Sequence, residues 1–213
     1  MPAILIIIFL VLIIAGLLTV LRKLKKENGE LKLKVAEDRE LFLQQMRTKD
    51  PLTQVLSRQH FMSLLDQEFQ RGKRNKQPIS LIACDVDYFK QYNDIYGQIA
   101  GDECLYAIAQ VIDSNVKRAG ECVCRMGSEE FLILLPNVTE QKAVDLAKII
   151  QEKVRKLAIP YDNSPTAFHI SLSMGIVSFI PTAEDKLAVW LRSVEIAANK
   201  AKEEGGDCYH VAK

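Results

Sequence analysis

The sequence predicts an α/β domain, a mixed sheet covered by helices, preceded by one transmembrane helix and a helical linker. From about residue 49 onward, short apolar runs rich in β-branched residues alternate with amphipathic stretches of helical period. One pair of these runs is joined by a tight turn, which indicates a hairpin inside the alternation. An uncharged apolar stretch stands at the N-terminus. We therefore divide the chain into residues 1–21, 22–48 and 49–213.

The N-terminal apolar run, Ala3–Leu21, contains no charged residue and is long enough to cross a bilayer as a helix. A signal peptide would carry positive charge before the run and a small-residue cleavage site after it, and neither is present. The basic residues Arg22, Lys23, Lys25 and Lys26 follow the run, which predicts that everything beyond them lies in the cytoplasm. We expect a single-pass membrane anchor with almost nothing outside.

The segment Glu27–Thr48 is charged and prone to form a helix, although Gly29 weakens it. Its apolar residues fall near the a and d positions of a heptad: Leu24, Leu31, Val35 and Phe42. Two interpretations stay open. The segment is either a solvated spacer helix or a short parallel coiled coil that pairs two chains.

The C-terminal domain begins at Asp50-Pro51, because the residue before a proline is disfavoured in a helix. Ser57 is a favourable N-cap for a first amphipathic helix. The first strand covers Ile79–Cys84, and the next helix runs from about Ala100 to Asn115. The remaining predicted elements are a hairpin of Glu121–Met126 and Phe131–Leu135, a helix capped by Thr139, a strand over Ile170–Phe179, a helix from about Asp185 to Glu203, and a last strand over Cys208–Val211.

The first strand ends in Asp85-Val86-Asp87, two acids where a buried strand stops. A buried carboxylate is costly unless it is paired or binds a metal. Carboxylates at such a position suit Mg²⁺, which binds through a few oxygens and keeps others for water and phosphate. The alternative is a solvent-exposed loop that begins with two acids. The amide, carboxylate and glycine residues that follow, among them Asn93 and Asp102, favour a binding site.

A second acidic group, Gly127-Ser128-Glu129-Glu130, occupies the predicted hairpin turn. It is either the polar tip of a hairpin or the other half of the same site. Three motifs, DVDYFKQYND, the Gly-x-x-x-Gly-Asp of 97–102 and GSEEF, together resemble those of the GGDEF-domain family, the diguanylate cyclases. The resemblance extends from about Lys49 to Val211. It implies the palm-like, ferredoxin-related fold of nucleotide cyclases. Together with the N-terminal apolar run, the expected location is the bacterial inner membrane.

The family resemblance implies that two GTP molecules are joined into cyclic di-GMP with release of pyrophosphate, a phosphoryl transfer that needs Mg²⁺ or Mn²⁺. The metal ligands would be the carboxylate of Asp85, the backbone carbonyl of Val86 and the carboxylate of Glu129. Glu129 would also assist deprotonation of the attacking hydroxyl. Each GTP would occupy one protomer, so that catalysis requires a homodimer.

The residues that would bind GTP follow from the same resemblance. Backbone amides around Phe89 and Lys90 would hold the β- and γ-phosphates. Asn93 and Asp102 would recognise guanine, with Asp102 accepting from N1–H and the exocyclic amine. Lys202 would contact the phosphates.

Three departures from the family pattern bear on activity. Ser128 replaces the second glycine of the signature. Gly206 stands where an arginine grips the terminal phosphate, so Gly206→Arg is expected to raise kcat/KM. The product-inhibition motif R-x-x-D appears as Arg118-Ala119-Gly120-Glu121, in which glutamate keeps the charge of the aspartate but has a longer reach, and it predicts a secondary cyclic di-GMP site.

Two functions therefore remain. One is an active diguanylate cyclase, and the other is a degenerate domain that binds GTP or cyclic di-GMP and signals through a partner. With a net charge of +1 and no basic patch interleaved with aromatic residues, no binding of nucleic acid is expected. The five cysteines lack a CxxC pattern and predict reduced thiols in the cytosol.

Overall fold

The computed structural model describes residues 48–162, 164–166 and 168–212, together with residues 16, 22–26, 29, 32 and 34–35. The chain divides into two compact units, Met1–Arg47 and Thr48–Lys213. In the first unit the described residues are helical. The predicted membrane-spanning run Ala3–Leu21 lies outside the described residues apart from Gly16, as does most of the predicted coiled coil. Among the residues that are described, no helix is long and apolar enough to span a bilayer.

The second unit contains a six-stranded sheet in the order β1-β3-β4-β2-β5-β6. The strands are β1 (Leu56–Ser57), β2 (Ile79–Val86), β3 (Cys122–Arg125), β4 (Glu130–Pro136), β5 (Leu172–Phe179) and β6 (Tyr209–Val211). The two outer pairs, β1 with β3 and β5 with β6, are parallel, and the three inner pairs are antiparallel. The predicted mixed sheet is confirmed.

Five helices accompany the sheet in the described part of this unit. They are α1 (Arg58–Asn75), α2 (Phe89–Tyr96), α3 (Gln98–Asn115), α4 (Glu140–Lys156) and α5 (Leu187–Glu203). Ser57 caps α1 as predicted, because its hydroxyl accepts a hydrogen bond from the N–H of His60.

The apolar core has two halves, one on each face of the sheet, because successive side chains of a strand point to opposite faces. Ile82, Cys84 and Val86 of β2 pack with residues of α2, α3 and α4. Ile79 and Leu81 of the same strand pack with residues of α1 and α5. The central strand β2 is therefore buried on both faces, and the end of β2 lies where the core meets solvent.

The structure differs from the sequence prediction around the acidic end of β2. The strand does not stop at Cys84 but continues to Val86, so that Asp85 lies inside it and pairs with both neighbouring strands. A separate helix, α2, then covers Phe89–Tyr96, for which the sequence analysis assigned no element. Tyr88 makes this sharp entry possible by adopting a left-handed backbone, φ +54°, at the N-cap.

Candidate active site

The two acidic motifs meet where β2 lies beside the β3–β4 turn. In the antiparallel pairing of β2 with β4, Asp85 stands opposite Glu130. The N–H of Val86 donates to the carbonyl oxygen of Glu129 at 3.2 Å. The backbone thus brings together Asp85, Val86 and Glu129, the three residues expected to bind metal. They meet at the C-terminal end of the central strand β2.

Asp85 is 7% exposed, and its two carboxylate oxygens have different surroundings. Oδ2 lies 2.6 Å from the ammonium nitrogen of Lys202, near the end of α5. Oδ1 is buried and has no hydrogen-bond partner. Burial raises the pKa of Asp85 to about 6, against the opposing hydrogen bond and charge of Lys202, and the charges of Glu130 and Glu129 raise it further.

An orphaned carboxylate oxygen beside a second carboxylate fits the donor set of a hard divalent cation. Glu129 is half-buried, and its carboxylate accepts a hydrogen bond from the hydroxyl of Ser128. No group of three or more Asp, Glu, His or Cys side chains able to hold a metal occurs among the described residues. A cation here would therefore bind Asp85, Glu129 and the Val86 carbonyl, and leave its remaining positions to phosphate and water.

A pocket of about 270 Å³ adjoins these acids at the start of α2. It is lined by Val86, Asp87, Tyr88, Phe89, Lys90, Gln91, Glu129 and Lys202. The first N–H groups of a helix have no partner within the helix and attract anions. The amides of Phe89 and Lys90, together with the Lys202 ammonium, can thus hold phosphate beside the carboxylates.

The residues predicted to recognise guanine lie on the two helices that follow. Asn93 on α2 packs against α3 at Gly101, where a Cβ would overlap Asn93 Oδ1. Asp102, the next residue on α3, is half-buried like Asn93. Asn93 Oδ1 is buried against Gly101 and has no hydrogen-bond partner.

Arg125 holds the signature turn, a role that the sequence prediction missed. Its Nε donates to the carbonyl oxygen of Gly127 at 3.1 Å, and its Nη2 donates to that of Ser128 at 2.6 Å. Its Nη1 lies 3.6 Å from Oδ1 of Asp50. Neither Gly127 nor Ser128 has a positive φ, so a serine side chain fits this turn without backbone strain.

The surroundings of Gly206 bear on the expectation that Gly206→Arg raises kcat/KM. Its φ is +79°, a conformation that favours glycine. A Cβ would lie 2.7 Å from Cγ2 of Thr166 and 3.0 Å from Oδ1 of Asp87. A larger residue at position 206 would therefore have to adopt a positive φ and displace the side chains of Thr166 and Asp87.

The predicted product site lies apart from these groups. Arg118 and Glu121 border a separate pocket of about 330 Å³, together with Lys117 and Lys142. The N–H of Arg118 donates to Oε2 of Glu121 at 3.0 Å. This pocket shares no residue with the one at the start of α2.

A family model described as diguanylate cyclase, GGDEF domain, matches residues 47–208. The chain belongs to this family. It is 29% identical over 170 residues to the probable diguanylate cyclase DgcC of Escherichia coli, which covers 80% of this chain and 44% of that protein. The chain spans less than half the length of the curated relatives it matches. The prediction of a diguanylate cyclase-type enzyme is confirmed at the level of the family.

Solved GGDEF-domain structures share the fold. Diguanylate cyclase SiaD of Pseudomonas aeruginosa, solved with its activator SiaC, superposes with a TM-score of 0.70 at 29% identity, over 90% of this chain and 73% of that one. The active GGEEF domain of a Vibrio cholerae diguanylate cyclase superposes with a TM-score of 0.58 at 30% identity, over 69% and 90%. The cyclase-type α/β fold expected from the sequence is confirmed.

Proposed function

We propose that this protein is a diguanylate cyclase that condenses two GTP molecules into cyclic di-GMP and releases two pyrophosphates. One observation carries the proposal. The carboxylate of Glu129, the amides at the start of α2 and the ammonium of Lys202 line a single pocket, and that ammonium also lies 2.6 Å from Oδ2 of Asp85. Carboxylates, amides and a cation in this arrangement suit a metal-bound nucleoside triphosphate.

Each residue has a distinct task in the transfer. Bound Mg²⁺ would supply neutralising charge at the triphosphate. The α2 amides orient the β- and γ-phosphates, and Lys202 offsets negative charge as pyrophosphate leaves. Glu129 takes the proton of the 3′-hydroxyl that attacks the α-phosphate of the second nucleotide. Asn93 and Asp102 select guanine.

The reaction requires two active sites that face each other, so we propose that the working form is a homodimer. Leu24 and Val35 support pairing upstream of the domain. Both are helical and more than half exposed, and residues eleven positions apart lie on the same side of any uninterrupted helix. Apolar side chains on one side are what a coiled coil buries.

We further propose that Ala3–Leu21 anchors the chain in the bacterial inner membrane, with the C-terminal domain in the cytoplasm. The support is the uncharged apolar run and the basic residues that follow it, of which residues 22–26 are helical and exposed. Membrane fractionation of the full chain and of a variant lacking residues 1–21 tests this. Recovery of both in the soluble fraction would contradict the anchor.

A degenerate domain that only binds nucleotide is the second candidate. The observation that favours it is the side chain of Ser128, which lies against the Glu129 carboxylate that is expected to bind the cation. The absence of an arginine at position 206 points the same way. In this case GTP or cyclic di-GMP would bind without turnover and a partner would sense it.

The deciding experiment incubates the purified full chain with GTP and Mg²⁺ and measures cyclic di-GMP by chromatography. Wild type is expected to form product, and Ser128→Gly is expected to form it faster because the Glu129 carboxylate is released. Glu129→Gln is the matched inactive control. No product from either wild type or Ser128→Gly, with GTP still bound, would leave the degenerate domain as the better reading.

A further inference from the structure

The second acid of the D-x-D motif, Asp87, has no role in metal or phosphate binding assigned above. We infer that Asp87 is a positioning residue that fixes the C-terminal cap of α5 and thereby holds Lys202 at the active site. This inference rests on the proposed function for its catalytic consequence. The structural consequence can be measured without turnover.

Asp87 is 3% exposed, and both of its carboxylate oxygens are satisfied by the protein. Oδ2 accepts from the hydroxyl of Ser171 at 2.6 Å and from the N–H of Asp207 at 2.9 Å. Oδ1 accepts from the hydroxyl of Ser173 at 2.6 Å. Hydrogen bonds to an ionised acceptor are short and strong, and three of them offset the cost of burying the charge.

This environment separates Asp87 from Asp85, two residues earlier in the chain. Asp85 keeps one buried oxygen without a partner, whereas Asp87 has none to offer. A cation at Asp87 would have to displace hydrogen bonds that the fold already makes. The two acids of the motif therefore differ in role. Asp85 has an oxygen available to a ligand, whereas the oxygens of Asp87 are held by hydrogen bonds within the protein.

The bond from Asp87 to Asp207 reaches Lys202 through the cap of α5. The N–H of Gly206 donates to the carbonyl of Ala201 and that of Gly205 donates to the carbonyl of Lys202, each at 3.1 Å. These bonds satisfy carbonyls that a helix end would otherwise leave unpaired. Asp87 takes the next N–H along the chain, so it ties the cap to the end of β2.

A second contact holds the same segment from the opposite side. Arg155, on α4, donates through Nε to both carboxylate oxygens of Asp207, at 2.8 and 3.0 Å, and through Nη2 to its carbonyl oxygen at 3.0 Å. Asp207 is thus gripped by α4 through its side chain and by Asp87 through its N–H. Lys202 lies five residues earlier. Of the residues of α5, it is the only one that lines the pocket at the start of α2.

The attachment of Asp207 to Asp87 also accounts for Gly206. The carboxylate that binds Asp207 lies 3.0 Å from the place where a Cβ of residue 206 would stand. Tight attachment of the cap to Asp87 and a side chain at 206 are therefore incompatible in this geometry. In this chain Asp87 holds the N–H of Asp207, and glycine is the residue that fits beside that contact.

The test compares Asp87→Ala with Asp87→Asn in the full chain. Alanine removes both acceptor oxygens and with them all three hydrogen bonds. Asparagine keeps its carbonyl for Asp207 and Ser171 and can turn its amide toward the hydroxyl of Ser173, which accepts as readily as it donates. The readouts are hydrogen exchange of the peptide covering residues 204–208 and the KM and kcat for GTP.

A positioning role predicts that Asp87→Ala speeds exchange at 204–208 and raises KM about tenfold, because Lys202 is no longer held against the phosphates. Asp87→Asn should stay within about threefold of wild type in both measurements. Asp66→Ala, which removes an exposed acid of α1, is the control and should change neither.

Two results would overturn the inference. One is unchanged exchange at 204–208 in Asp87→Ala. The other is an Asp87→Asn protein that loses Mg²⁺-dependent thermal stabilisation as Asp85→Asn is expected to do, which would make Asp87 a metal ligand. If Asp87→Ala does not fold, the double variant Ser171→Ala, Ser173→Ala takes its place under the same criterion. If wild type makes no cyclic di-GMP, the exchange result still decides the inference, and only the proposed function fails.

Discussion

The ammonium nitrogen of Lys202 lies 2.6 Å from Oδ2 of Asp85, while Oδ1 of the same carboxylate is buried without a partner. Lys202 therefore pairs with one oxygen of Asp85 and leaves the other open. Burial raises the pKa of this carboxyl to about 6 despite the nearby ammonium. This unequal use of two oxygens is what we expect of a ligand for a metal that enters together with nucleotide.

Asp85→Asn should abolish formation of cyclic di-GMP and leave the fold intact. Asparagine is close in shape but gives up the charge that holds a divalent cation. Product formation and circular dichroism of the purified variant check this. Rates like those of wild type would show that Asp85 does not bind the metal.

The free energy of unfolding should depend on pH because of Asp85. Its pKa is about 6 in the folded chain against a usual 3.8, so the folded state holds the proton more tightly. Its contribution is fully present below about pH 4 and is lost as pH rises through about 6, an effect of about 3 kcal/mol at 1.36 kcal/mol per pH unit. Thermal or denaturant unfolding of wild type and Asp85→Asn between pH 4 and pH 7.5 isolates this contribution.

Removal of divalent cations provides the complementary measurement. Mg²⁺ needs the ionised carboxylate, so it should raise the Tm of wild type at pH 7.5 and have little effect at pH 5. Chelation with EDTA should reverse the rise. Stabilisation by Mg²⁺ that is the same at both pH values would argue against Asp85 as a ligand.

Guanine recognition should depend on Gly101 as well as on Asn93 and Asp102. Gly101→Ala places a methyl group where Asn93 Oδ1 now lies, and should displace that side chain. Asp102→Ala removes a charged acceptor, a loss of about 1.5–3 kcal/mol or roughly ten- to a hundredfold in affinity. Calorimetry with GTP, and with ATP as the mismatched base, measures both. Equal affinity of wild type for ATP and GTP would refute the assignment.

Gly206→Arg should lower thermal stability and bring no gain in kcat/KM, contrary to the expectation from the family pattern alone. A non-glycine residue at positive φ costs about 1–2 kcal/mol, and the contacts with Thr166 and Asp87 add to it. Gly205→Ala is the matched control, because Gly205 has φ +113° but no atom within 4 Å of its Cβ position. A larger loss of Tm in Gly206→Ala than in Gly205→Ala separates crowding from backbone strain.

Arg118→Ala should weaken binding of cyclic di-GMP without changing the KM for GTP. A guanidinium can hold phosphate or a guanine edge through two hydrogen bonds, and Glu121 is tied to the Arg118 backbone at 3.0 Å. Isothermal titration of cyclic di-GMP tests it, with exposed Arg192→Ala as the control for loss of one positive charge. Identical isotherms for wild type and Arg118→Ala would reduce this pair to a surface contact.

The sequence predicted five of the six strands, their hairpin and four of the five helices, because periodicity reports which side chains are buried; the two-residue strand β1 was missed. The helix α2 was missed because its eight residues are too few to show a helical period. The convergence of Asp85, Glu129 and Lys202 came from motif resemblance, since these residues are far apart in the chain. The closed environment of Asp87 and the crowding at Gly206 depend on Ser171, Ser173 and Thr166, whose approach only the folded chain reveals.

The turn at Gly206 also limits how this sequence can change over generations. A single codon change to arginine would place a side chain against Thr166 and Asp87 at a φ of +79°. A lineage carrying this turn would have to remodel those neighbours first, and each such step loosens the segment before any phosphate contact is regained. Gaining an arginine at position 206 therefore takes more than one substitution. Natural variants that carry it should also differ at position 87 or 166.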